Sequence, residues 1–361
     1  MGPSGAEIDD PFPLRNQLPL NLLFLDPAPR SARLLRRGAS RLAVNLAYES
    51  TFLATNDLIN LFRNDDFATY KGRVTLPVLQ AIASGTPGQI AFVMDGEIMR
   101  GAIDLGVGLG RSFELDLEIP FLVQTTGFLD SPIDHYHDQF GFPDGGREAF
   151  ARDRFVIGYV GDGAQVFVDR PAGGIRPGDV VLTGRMALLR DRRRAPDLAA
   201  GLALKLPTGS AALLEGSGRA DVALTVQVGR RIRRSALHGG YALTRVGDWS
   251  MAPGVPLLDA RSLFGTYAFR VSASTALLAQ YLRTSSPFHY RRGSDLGRVA
   301  QEIALGFRTR LSRGLLFEAA FLENLDAHLN SPDVGGYFGL SFGRPPGLSE
   351  PPLLLDPIDN K

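Results

Sequence analysis

The sequence predicts an all-β membrane protein, a transmembrane antiparallel up-and-down β-barrel of about twelve strands, with ten or fourteen as alternatives and one short loop helix. Three observations predict it. The stretch Ala102 to Gln124, AIDLGVGLGRSFELDLEIPFLVQ, alternates strictly. Ile103, Leu105, Val107 and Leu109 share one face and Asp104, Gly106 and Gly108 the other; after Gly110-Arg111-Ser112, Phe113, Leu115, Leu117, Ile119 and Phe121 oppose Glu114, Asp116 and Glu118. Only an extended chain sorts residues with period two. Two strands with one apolar and one carboxylate-rich face suit a sheet between lipid and water. No stretch approaches the roughly 18 to 20 uncharged apolar residues of a membrane helix. The third observation is that short and long connections alternate along the chain, as periplasmic turns and external loops do in bacterial barrels.

Residues 1–39 form an N-terminal arm, of which Pro11 to Pro29 (PFPLRNQLPLNLLFLDPAP) is proline-punctuated and apolar without alternation. The segment can plug the lumen or lie along the periplasmic rim, against the plain reading of an ordered terminal arm. The barrel is expected over 40–342. Its first strand runs from Ser40 to about Phe52, with Leu42, Val44, Leu46 and Tyr48 outward and Arg41, Asn45 and Glu49 inward. A long external loop, 53–97, follows, with an extended stretch expected at Arg73 to Ile82, and the opening hairpin then supplies strands two and three. The second long loop, 125–178, contains GFLDSPIDHYHDQFGFPDGGR. There Ser131 caps a short helix with Pro132 at its first position and Gly141 at its end, and a small hairpin follows at Arg154–Tyr159 and Gln165–Asp169. Strands four to twelve are Asp179–Leu189, Asp197–Leu206, Ala220–Val228, Ser235–Arg245, two within Ser262–Thr284, Val299–Leu311, Leu315–Glu323 and Asp333–Phe342. A proline-rich tail, 343–361, closes the chain.

Composition removes several function classes. Lys+Arg 39 against Asp+Glu 38 gives a formal net charge of +1, no footprint for nucleic acid. Cys 0 removes disulfides, thiolate metal sites and cysteine nucleophiles. Phosphate-loop and dinucleotide motifs are absent, so no cofactor is expected. The opening MGPSGAEIDD has neither a basic n-region nor an apolar h-region, so no secretory signal stands in the sequence as written, which reads as a mature form.

The candidate site is the lumen. Inward carboxylates cluster on strands two and three (Asp104, Glu114, Asp116, Glu118), with Arg185, Lys205, Arg270, Glu302, Arg308 and Arg310 on later strands. Opposed acidic and basic walls make a transverse field that orients polar solutes, whereas in a filled barrel the same charges pair with one another. At about twelve strands the filled or narrow lumen is the expected case. A second candidate is the loop helix with Asp134, His135, Tyr136, His137, Asp138 and Phe140. Its His and Asp residues share faces and can contribute metal ligands, but a site needs three or four in fixed geometry, so no metal is expected. An enzyme is not expected. An outer-membrane lipid hydrolase would need a lipid-facing histidine bonded to a serine; His238 has lumen parity and Ser235 the opposite parity.

PFPLRNQLPLNLLFLDPAP, LDLEIPFLVQTTGFLDSPIDHYHDQFGFPDGGR, LKLPTG and SPDVGGYFGLSFG, in this order, resemble the family catalogued as domain of unknown function 3187. The resemblance runs from Pro11 to Phe342, and the GFLD to GGR block is its most specific part. It implies an outer-membrane-type barrel of a Gram-negative bacterium and carries over no activity and no catalytic residue. The chain departs from ordinary outer-membrane barrels by continuing past Phe342 into GRPPGLSEPPLLLDPIDNK, instead of ending on an aromatic residue. The expected function is a narrow channel or a binding site for a small solute or lipid-like molecule, gated by the arm and the loop helix. The alternative is a structural or assembly subunit that holds a periplasmic or outer-membrane protein partner through its loops or tail. Lipid of the outer membrane is the expected surrounding.

Overall fold

The computed structural model describes residues 7–64, 71–86, 88–110, 112–132, 135, 139, 141, 146–190, 195–291, 294–325 and 334–344. In chain order the elements are strand β1 (Ser40–Ala54), helices α1 (Asn56–Asn64) and α2 (Leu76–Ala83), and strands β2 (Ala91–Gly108), β3 (Phe113–Thr125), β4 (Val156–Gly161), β5 (Ala164–Val168) and β6 (Arg176–Pro177). There follow β7 (Val181–Leu189), β8 (Asp197–Lys205), β9 (Asp221–Ile232), β10 (Ser235–Arg245), β11 (Ala260–Arg270), β12 (Thr275–Thr284), β13 (Ala300–Ser312), β14 (Leu315–Asn324) and β15 (Val334–Arg344). All strands but β4, β5 and β6 make up a closed antiparallel barrel of 12 strands. Each pairs with its neighbours in sequence, and β1 closes the ring on β15 from Ser40↔Arg344 to Glu49↔Gly335.

The outward face of every wall strand is the expected apolar belt: Leu42, Val44, Leu105, Leu182, Leu202, Leu224, Leu263, Leu305 and Phe338 are exposed at its surface. Many inward positions are charged or small, with larger residues such as Leu278, Leu282, Leu316 and Tyr337 grouped on β12, β14 and β15. Ala43, Ala47, Ala102, Ala199, Ala203, Ala223, Ala236, Ala268, Ala276 and Ala304 line the lumen and are buried. Such short side chains cannot fill a barrel of this girth, and the space is taken by the chain segment that precedes β1. Gly108 shows how tightly it fits, because a Cβ there would stand 2.0 Å from the carbonyl oxygen of Arg36. Instead Gly38 N–H donates to Gly108 O and Gly108 N–H to Ala39 O, both at 3.0 Å, and this pair of bonds leads the arm into β1.

The two long connections differ from expectation in content. The first occupies only residues 55–90, because β2 starts at Ala91 and runs beyond the wall to pair with β4, from Ala91↔Val160 to Asp95↔Val156. The stretch Arg73–Ile82, expected to be extended, holds helix α2 instead. Thr75 stands at its N-cap and a proline in its first turn, where a missing N–H costs nothing, and Val78 and Leu79 bury on one side. Packing of that side into a cluster with Leu58, Phe62, Val93, Phe150 and Val156 outweighs the local β preference. The second connection, 126–180, carries the anticipated small hairpin as β4 and β5.

Leu224 sits mid-strand on the lipid face at 62 % exposure. Leu224→Arg is expected to lower the stability of the vesicle-inserted barrel by about 2–4 kcal/mol, read from urea titration. An unchanged midpoint would place this residue off the lipid face and shift the whole register by one.

Candidate functional site: the lumen and the arm within it

Residues 7–39 enter the barrel at the short-turn end, climb to the long-loop end, turn over residues 18–24 and descend to Ser40. The climbing limb is held first by β9, β11 and β13. Asp9 accepts from Arg231 and, at 2.9 Å, lies against Arg270. The Arg308 guanidinium, paired with Glu318, donates to the carbonyls of Glu7 (2.9 Å), Asp10 (2.6 Å) and Pro11 (3.1 Å). Phe12 then makes two backbone bonds to the amide of Gln280, at 2.9 and 3.0 Å, as if to a strand. Higher up, Arg15 pairs with Glu118 at 2.6 Å, Asn16 donates to Glu302 at 3.3 Å and Gln17 donates to Glu49 at 2.7 Å.

The turn of the arm sits under the long loops. Leu18, Leu20, Leu23 and Phe24 join Phe92, Tyr159, Trp249 and Phe288 in one buried cluster, in which Trp249 and Phe288 meet edge to face at 6.0 Å. This core of a soluble kind closes the mouth. Lys205, between Asp179 and Asp221 at 2.9 Å each, donates to Leu23 O at 2.5 Å, and Leu25 N–H donates to Asp221 at 2.8 Å. On the descent Arg30 pairs with Asp104 at 2.7 Å, Ser31 O accepts from Arg185 at 2.8 Å, Arg33 pairs with Asp197 at 2.7 Å and Leu35 N–H donates to Glu114 at 2.6 Å.

The structure thus gathers Asp104, Glu114, Asp116, Glu118, Arg185, Lys205, Glu302 and Arg308 around one buried segment. Glu114 and Asp116 also share Arg41 and Arg185. Arg270 and Arg310 stand at the lumen's short-turn mouth, 3.8 and 4.0 Å from Glu7. The matching residues of the arm, Asp9, Arg15, Arg30 and Arg33, and the wall residues Gln280, Glu318 and Asp197 are ones the sequence reading does not single out. A signal for them existed: the run of alanines at inward parity reserves space that only another part of the chain can fill.

Of the loop-helix candidates, His135 is exposed, and Asp134, Tyr136, His137, Asp138 and Phe140 lie outside the described residues. The tail beyond 344 lies outside them too. Among the described residues no group of three or more His, Asp or Glu side chains is placed to hold a metal ion. Ser235 faces outward, its hydroxyl 3.1 Å from that of Tyr267, while His238 is on the opposite, lumenal face with both ring nitrogens buried.

The GFLD to GGR block has a defined mechanical role at the loop end. Glu97 accepts the Phe128 and Leu129 N–H groups at 2.9 and 2.6 Å and the Tyr48 hydroxyl, while Phe128 stacks on Tyr48 at 5.8 Å. Gly127, at φ 80°, passes so close that a Cβ would lie 2.0 Å from the Glu97 carboxyl carbon. Asp130 and Arg147, near the two ends of the block, are joined, and Arg147 reaches on to Asp95 with Phe52 under its guanidinium at 5.0 Å. Burial alone would make this guanidinium less basic; Asp95 and Asp130 more than reverse that, so its pKa is raised. The clasp ties the second long loop to the barrel wall.

The family model described as Protein of unknown function (DUF3187) matches residues 79–344. No curated protein matches the chain. Among solved structures, an outer membrane channel from Pseudomonas putida F1 aligns with a TM-score of 0.51 at 13% identity, covering 89% of this chain and 99% of that one. The NanC porin aligns at 0.39 and 8% identity, covering 68% and 93%. The translocator domain of autotransporter NalP from Neisseria meningitidis aligns at 0.38 and 10% identity, covering 84% and 88%. What the chain shares with the Pseudomonas putida channel is the outer-membrane β-barrel fold.

Arg147→Ala leaves Asp95 and Asp130 buried without their cation. The expected loss is about 3–5 kcal/mol in the loop clasp, seen as rapid proteolysis between residues 126 and 168 while the barrel keeps its heat-modifiable gel mobility. Unchanged protease resistance would show that the clasp does not hold the loop.

Proposed function

This chain belongs to the DUF3187 family, and we propose that it is an outer-membrane channel for small polar solutes, held closed by its own N-terminal arm and opened when the arm withdraws toward the short-turn side. One observation carries this reading. Both ends of the lumenal segment lie at the same rim: Asp9 is bonded near the β9–β10 and β11–β12 turns, and Gly38 is bonded beside the β2–β3 turn. A hairpin-shaped plug with both ends on one side can leave without threading through the barrel and without breaking a hydrogen bond between wall strands. Along both limbs its hold on the wall includes many ion pairs and hydrogen bonds, which water can replace as the arm slides out.

The vacated lumen would expose carboxylates on β2 and β3 opposite arginines on β9, β11 and β13, a transverse field that orders dipolar or zwitterionic solutes. The channel named in the Pseudomonas putida structure, which shares the fold over nearly its whole length, lends support. The short-turn end then faces the periplasm, and the long loops face outside.

A second reading is a permanently filled barrel that serves as a structural or assembly subunit. The apolar cluster around Trp249 favours it, since that seal is of the kind found in protein cores. Single-channel conductance in planar bilayers separates the two. The full chain is expected to be silent or to open briefly, and a chain lacking residues 7–35 to carry steady current. Silence of the shortened protein, with insertion shown by heat-modifiable mobility, would overturn the channel and leave the subunit.

A further inference from the structure

The lipid-facing wall carries a local anomaly. On β10, β11 and β12 the outward residues are apolar, small or hydroxyl-bearing from the short-turn end upward, including Leu237, Tyr241, Leu243, Leu263, Tyr267, Phe269, Leu277 and Tyr281. Each strand then ends its outward series, at the long-loop side, with an arginine: Arg245, Arg261 and Arg283, all exposed. The sheet register makes them neighbours. Leu243 pairs with Arg261 and Leu263 with Arg283, so each arginine stands two residues diagonally from the next, a separation of about 7–8 Å between Cα atoms. Their side chains are long enough to converge over one patch.

No carboxylate occupies an outward position on these three strands. Arg245 has a loose contact with Asp259 at 3.5 Å, both largely exposed, and Arg261 and Arg283 have no ion-pair partner among the described residues. Three adjacent guanidiniums at the upper edge of an apolar belt, two without an ion-pair partner among the described residues and the third with only the exposed contact to Asp259, are a site for something that carries several negative charges and acyl chains together. Guanidinium binds phosphate bidentately, and the exposed tyrosines and leucines below offer the acyl chains a surface.

We propose that Arg245, Arg261 and Arg283 form a binding site for the phosphates of a lipid A-type glycolipid, a phosphorylated and multiply acylated sugar, in the leaflet around the long loops. The inference rests on the outer-membrane placement given above but not on conduction, so it stands or falls separately from the channel.

The test uses the full chain in nanodiscs of uncharged lipid, titrated with bisphosphorylated lipid A. The wild type is expected to bind saturably. The triple variant Arg245→Ser, Arg261→Ser, Arg283→Ser is expected to lose about a hundredfold in affinity, roughly fivefold per guanidinium. Arg230→Ser, which removes an outward arginine at the opposite rim, is expected to bind as wild type. If the triple variant does not insert, Arg261→Ser alone should still lose about fivefold. Equal affinity of the variants and the wild type would overturn the site. So would equal competition by phosphatidylglycerol, which would reduce the row to a general attraction for anionic lipid.

Discussion

The structure depends on a match of charge between a barrel wall and the segment threaded through it. The β2–β3 wall presents Asp104, Glu114, Asp116 and Glu118, and the arm brings Arg15 and Arg30 against it. Toward β9, β11 and β13, where Arg231, Arg270 and Arg308 project, the arm turns the Asp9 carboxylate and three backbone carbonyls. Wall arginines neutralise part of the acidic surface, Arg41 and Arg185 at Glu114 and Asp116 and Arg100 at Glu118, but in a dry lumen neither surface is complete without the other, because a buried charge without a partner costs several kcal/mol. In water each is acceptable again, so the same chemistry that seals the barrel allows it to exist unsealed.

Volume enforces the match. A wall of large inward side chains would fill the barrel by itself, as in smaller barrels. Here alanines recur at inward positions, and the arm supplies Phe12, Leu14, Leu25 and Leu34 as the large partners. The packing of an ordinary core is thus divided between two parts of the chain, one fixed and one continuous with the wall only at Ser40. At the loop end the division disappears, because the turn of the arm, β2, β4, β5 and the loop residues Trp249 and Phe288 share a single cluster. The clasp of Asp95, Arg147 and Asp130 fixes that assembly to the wall.

Much of this was legible in the sequence, for a reason specific to barrels: a sheet between lipid and an aqueous or polar interior writes its two faces at period two. The hairpin Ala102–Gln124 is therefore readable down to which residues point inward. The arm was not readable in the same way. Pro11–Pro29 is surrounded by wall on all sides, so its apolar and polar residues follow the wall's local chemistry and no period of their own. Its proline-rich apolar composition marked it as ordered; only the partners of Arg15, Arg30 and Asp9, more than 70 residues away in the chain, decide where it lies. Helix α2 is not legible for a related cause: a short segment whose buried side is set by β4 and α1 carries too few turns to declare its own period. The GFLD to GGR block, conspicuous as a motif, has its meaning in Glu97 and Asp95, which stand on β2, with β3 between them and the block in the chain.

The charge match is tested most directly by exchanging one of its pairs. Arg30 and Asp104 meet at 2.7 Å inside the lumen. Arg30→Asp alone sets two carboxylates against each other, and single-channel recording should then show openings far more frequent than in the native protein; adding Asp104→Arg should restore the silent state. If Arg30→Asp leaves the bilayer as quiet as before, or if the double exchange stays open, the arm is not held by complementary charge and the account fails.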